Sequence, residues 1–186
     1  MRSDAPPYAY NFRALAARAD DELRRRQNEY GAAIEAGSIT PEAAAADTDA
    51  WRAIAAEWRW VALRQETPAV PHVALTAREK AIAEAVRRSR GKARQAYVDF
   101  LDAHEEAQSE SMRPIDAQAT LATTPIGALP HLFGSAIAPY LHAFRRYECL
   151  VALHWWSKRT GEDSILALAD TTDRLRTPGQ PQRRAA

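Results

Sequence analysis

Ala36-Gly37-Ser38-Ile39-Thr40-Pro41-Glu42 decides how the chain is read, because one helix stops in it and another starts. Glycine takes the left-handed conformation that closes many helices, so Ala36-Gly37 marks a C-terminal stop. Thr40 offers a capping hydroxyl. Pro41 falls at the first helical position, where its missing N–H is not needed, and Glu42 favours the positive end of the helix dipole. Only a turn at Ser38-Ile39 separates stop from start, which predicts an antiparallel helical hairpin.

Working outward, Asn11 sits where an N-cap would begin the first helix. From there Phe12, Leu15, Ala19, Leu23, Tyr30 and Ile34 recur at steps of three, four or seven, a single apolar stripe, while Arg18, Asp21, Arg25 and Glu35 fall mostly outside it. The second helix is predicted to run to about Gln65, with Trp51, Ile54, Ala55, Trp58, Val61 and Ala62 on the face that meets the first. Trp60 points nearly opposite Trp51. It either touches a later helix or anchors a partner.

Residues 1–66 thus form one helical unit, and Pro68 and Pro71 make 67–76 a linker. Thr76 with Glu79 fits a capping box opening a long helix to near Glu110. Its stripe is Ile82, Val86, Ala93, Tyr97, Phe100 and Leu101, interrupted by Ser89 and with Gly91 as a weak point. Residues 111–134 carry the run Thr123-Thr124-Pro125-Ile126-Gly127-Ala128-Leu129-Pro130 and read as a loop with room for one short helix. A further helix is expected from Ser135 or Pro139 to Thr160, stopped by Gly161. Its wide stripe is Ile137, Tyr140, Leu141, Phe144, Tyr147, Val151 and Trp155, with Leu150, Leu153 and Trp156 opposite, so it is either central or at an interface. Ile165, Leu166, Leu168, Ala169 and Leu175 suggest a last amphipathic helix over 162–175. Residues 77–175 make a second helical segment, whose sharing of a core with the first is left open, and 176–186 are expected to be a disordered tail. The fold class is all-α with four to six helices.

Glu22-Leu23, Arg25, Tyr30, Ile34, Ala36-Gly37, Ile39-Thr40, Ala44, Asp47 and Ile54 together resemble a helical-hairpin segment of small uncharacterised proteins of phages and prophages in proteobacteria. The likeness spans about residues 19–60. In that group the tyrosine is typically followed by proline and the turn often has methionine before threonine, whereas here Gly31 and Ile39 stand in those places. The resemblance implies a mobile-element origin and a hairpin fold, and no particular reaction.

Forty alanines and twenty-two arginines against three lysines fit a helical protein, but both favoured residues have GC-rich codons, so position carries more meaning than amount. The net charge of +1 gives no global attraction to nucleic acid or anionic lipid. No apolar window long enough to span a bilayer occurs and no apolar leader opens the chain, so a cytoplasmic location without membrane contact is the expectation. Charge is instead segregated along the third helix. Between 77 and 95, seven basic residues face two acidic ones, and between 96 and 110 five carboxylates stand without a cation. Arg87, Arg88, Arg90, Lys92 and Arg94 are the candidate nucleic-acid-binding set. The same split suits antiparallel pairing with a second copy.

His72, His104, His131, His142 and His154 show no ligand spacing, with no HExxH and no Glu-x-x-His. Cys149 lies in an apolar run that suits an inert buried thiol. No nucleophile elbow, phosphate loop or dinucleotide fingerprint is present. No cofactor and no small-molecule substrate is expected, and a catalytic role is disfavoured without being excluded. Trp60, Tyr147, Trp155 and Trp156 are the candidate partner anchors, since interface centres favour such side chains. The function expected is that of a non-enzymatic accessory protein binding a protein partner or itself, with nucleic-acid binding as the alternative.

Overall fold

The computed structural model describes residues 4–63, 72–108 and 116–159, and these are all-α. The order is α1 (Phe12–Glu35), α2 (Pro41–Leu63), α3 (Leu75–Gln108), α4 (Ala117–Thr123), α5 (Leu129–Phe133) and α6 (Ala138–Ser157), with short 3-10 turns before and after α5. The Asn11 side-chain oxygen accepts from the Ala14 N–H at 3.1 Å and so starts α1. At its other end Gly37 has φ +68°, and Ser38 N–H donates to Ala33 O at 2.9 Å, closing the helix as the glycine predicts. Thr40 Oγ1 then accepts from Ala43 N–H at 3.2 Å and opens α2.

The main core joins all four long helices. Phe12, Leu15, Ala19 and Leu23 of α1 meet Trp51, Ile54, Ala55, Trp58 and Val61 of α2, and the cluster continues through Ala81, Ile82 and Ala85 of α3 to Leu150, Ala152, Leu153 and Trp156 of α6. A second, smaller core packs Phe100 of α3 against Ala117, Leu129, Phe133, Ile137 and Leu141. Trp156 also ties down the segment before α1, its indole N–H donating to the buried Ala9 carbonyl at 2.6 Å. No helix among the described residues is long and apolar enough to cross a membrane.

Two expectations need correction. The capping box at Thr76 is absent, because α3 is already helical at Leu75 and the N–H groups of Ala77 and Arg78 donate to Ala74 O. Glu79 instead approaches His154 on α6 at 3.7 Å. The described part of 111–134 is not a loop but α4, a 3-10 turn and α5, with Asp116 capping α4 by accepting from Ala119 N–H at 2.9 Å. The wide stripe expected along α6 divides, with Ile137 and Leu141 buried in the smaller core. Leu150, Leu153 and Trp156 are buried, while Phe144, Tyr147, Val151 and Trp155 are half-buried. The main neighbour of α6 is α3, and the small buried Cys149 and Ala152 belong to the core that joins them. The helix α3 runs through Gly91 without a break. The helix over 162–175, the stop at Gly161, the tail and residues 67–71 of the linker lie outside the described residues.

Candidate functional site

α3 carries its charge outward. Its inner line is Ile82, Ala85, Ser89, Ala93 and Phe100, all buried, which leaves Arg87, Arg88, Arg90, Lys92 and Arg94 exposed. None of these five forms an ion pair with another described residue. Asp99, Asp102, Glu105 and Glu106 are exposed farther along the same helix, with Gln95 Nε2 donating to Asp99 at 2.8 Å. Between the two halves stands Val98, a large apolar side chain left 39% exposed. All five are on the surface, but they encircle the helix, with Arg90 and Arg94 on one flank and Arg88 and Lys92 on the other. The acidic half follows them within about two helical turns.

A second charged constellation is buried, and the stripe analysis misses it. Glu22 of α1 is 1% exposed and Arg26, one turn on, is 0% exposed. The Glu22 carboxylate accepts on one oxygen from Arg146 of α6, at 2.7 Å from Nε and 2.6 Å from Nη2, and on the other from Arg25 at 3.0 Å and Arg26 at 2.9 Å. Arg26 Nε donates to Asp47 of α2 at 2.6 Å, its guanidinium lies 4.3 Å over the Trp51 ring, and the Tyr30 hydroxyl donates to the same Asp47 oxygen. Burial pushes the Glu22 carboxyl up, but the Arg146 charge and the hydrogen bonds from Arg25 and Arg26 outweigh it and hold it below the ordinary carboxylate range. For Tyr30, burial and the bond to Asp47 raise the phenol.

The sequence held a signal for this cluster. Residues 19, 22, 23, 26 and 30 are one continuous helical face, so Glu22 and Arg26 fill the gap in the stripe between Ala19 and Tyr30. The arrangement is a structural clamp of three helices, in which the carboxylate is spent on arginines of the same chain.

The proposed anchors separate. Trp156 is 2% exposed, sunk in the core, and is no surface anchor. Trp60 is half-buried and packs against the main core. Trp155 is half-buried, edge-on to Tyr10 at 6.3 Å, and covered by the Arg159 guanidinium at 3.9 Å. Tyr147 is half-buried on the outer side of α6 near Phe144.

Among the described residues the chemistry-bearing groups do not converge, and no three His, Cys, Asp or Glu side chains gather as metal ligands. Cys149 is buried, and burial raises its thiol, with Arg18 opposing. His104 lies between the rings of Phe100 and Phe133, while burial and Lys158 push His154 down, with Glu79 opposing. A broad open depression beside the segment before α1 is lined by Pro6, Tyr8, Tyr10, Asn11, Arg13 and Ala62, among others, with no carboxylate or histidine among the described lining residues. No family model matches the chain, and neither a curated protein nor a solved structure matches it.

Proposed function

We propose that this chain is a non-enzymatic cytoplasmic accessory protein, encoded by a phage or prophage, that works through protein–protein contact along the outer face of α3. The observation that carries the reading is the exposed, segregated charge of that helix, five cations followed by four carboxylates with Val98 between them. A helix that only keeps its protein in water gains nothing from segregation, since interspersed signs serve that end and add local ion pairs. Segregation provides a polarity that a complementary surface can recognise. The mobile-element origin is supported by the resemblance over residues 19–60.

Light scattering on gel filtration tests this, at low and at high salt, with absorbance at 260 and 280 nm on the same peak. Association that weakens with salt and carries no nucleic acid is the expected result. A second reading is favoured by the five exposed cations, none of which is in an ion pair with another described residue. Nucleic acid bound to the basic half predicts a peak with high 260 nm absorbance that salt strips, and binding lost when Arg87, Arg88, Arg90, Lys92 and Arg94 are neutralised. The adjacent carboxylates repel phosphate, which ranks this reading second.

A further inference from the structure

Resting on that reading, we propose that the outer face of α3 pairs antiparallel with the same face of a second copy of the chain, about a two-fold axis crossing the helix between Ala96 and Tyr97. At about 100° per residue, the line opposite the buried Ile82, Ala93 and Phe100 runs through Gly91 and Asp102. Arg88, Gln95 and Glu106 flank this line on one side, and Arg87, Val98 and Glu105 on the other. All eight of these residues are exposed.

A two-fold axis perpendicular to the plane of the paired helices keeps each flank on its own side of the seam. Arg87 then meets Glu105 of the second copy, and Arg88 meets Glu106 of the second copy. Each contact occurs twice. Gly91, which has no atom within 4 Å of where a Cβ would stand, faces Asp102 and lets the helices approach. Gln95 and Val98 straddle the axis, so the exposed apolar side chain falls at the centre of the interface, where it is shielded. Parallel pairing in register would set Arg87 on Arg87 and Glu105 on Glu105, so the charges select the antiparallel arrangement. One helix on one helix lies below the roughly 1,200 Å² of a standard interface, which makes the dimer concentration-dependent.

Charge exchange on the full chain tests it, by sedimentation from about 10 μM to about 1 mM, with far-UV circular dichroism confirming that each variant folds. Arg87→Glu with Arg88→Glu makes the face acidic throughout, and Glu105→Arg with Glu106→Arg makes it basic throughout. Each double variant alone is expected to lose at least ten-fold in self-association, and an equimolar mixture is expected to regain a one-to-one heterodimer. Val98→Cys, about 4.5 Å along the axis from its own mate, should form a covalent dimer on mild oxidation. Lys80→Cys, about 50 Å from its mate, should not.

If the wild type dimerises while both double variants dimerise as tightly and Val98→Cys fails to cross-link, this face and register are overturned, though self-association stands. A wild type that stays monomeric to about 1 mM overturns this pairing together with self-association, and leaves contact with a different protein as the surviving form of the functional reading.

Discussion

Glu22 shows what a single residue does in this fold. Its carboxylate is the shared acceptor for Arg25, Arg26 and Arg146, so removing it strips the largely buried Arg146 of its counter-charge and leaves the buried Arg26 with Asp47 alone. Glu22→Ala is expected to cost about 3–5 kcal/mol, the scale for breaking a buried ion pair from one side, as read from urea unfolding. The pH response follows from the direction of its shift. The folded-state pKa lies below the ordinary 4.5, so the stabilisation is present above about pH 4.5 and is lost as pH falls through the lower folded value. Wild-type stability should therefore drop in that acid window, and Glu22→Gln should flatten the drop. A variant as acid-sensitive as the wild type would show that other carboxylates control acid unfolding. Apolar periodicity passes over such a residue because it treats every charge as solvent-facing. Arg26 reveals the error, since it lies in phase with Leu23 and Tyr30 and its charge is met by Glu22 and Asp47 rather than by water.

At the scale of elements, whatever depends on nearest neighbours was legible. Asn11, Gly37 and Thr40 do locally what their chemistry prescribes, and each act needs no knowledge of the rest of the chain. Asn11→Ala should accordingly cost about 1 kcal/mol in thermal unfolding. Thr76 failed for the converse reason. Packing of the first turn of α3 on α2, through the 3.1 Å pair of Arg78 with Glu57, outweighs a cap worth about 1 kcal/mol, and the helix starts two residues early. The face of α6 was illegible because apolar side chains surround it, and only contact with α3 decides between Leu153 and Val151. Gly91 gives the clearest element-scale prediction. It is exposed inside a continuous helix with open space where a Cβ would go, so Gly91→Ala should stabilise by about 0.5–1 kcal/mol, measured as a rise in Tm. A fall in Tm would mean that the backbone at Gly91 is not regular helix.

For the whole molecule, composition and periodicity sufficed for the all-α class but not for how the two segments join, because the joining side chains are far apart in sequence. Leu153 shows how they join. It is fully buried, and with Ile54 and Trp58 of α2, Ile82 of α3 and Trp156 it lines a cavity of about 20 Å³, little more than a single water occupies. Leu153→Ala should enlarge that void and cost about 2–5 kcal/mol, a penalty borne by α2 and α3 as much as by α6. Because one cluster spans these helices, the four long helices should unfold together. Tryptophan fluorescence reports on both sides of the seam, through Trp51 and Trp58 on α2 and Trp155 and Trp156 on α6. Its transition should coincide with that of far-UV circular dichroism, in the wild type and in Leu153→Ala alike. A fluorescence transition displaced from the helical one, or Leu153→Ala shifting one probe alone, would mean that the hairpin of α1 and α2 holds its fold without α3 and α6. The buried pair of Arg146 with Glu22 would then be a contact between two independently stable units rather than a clamp within one core.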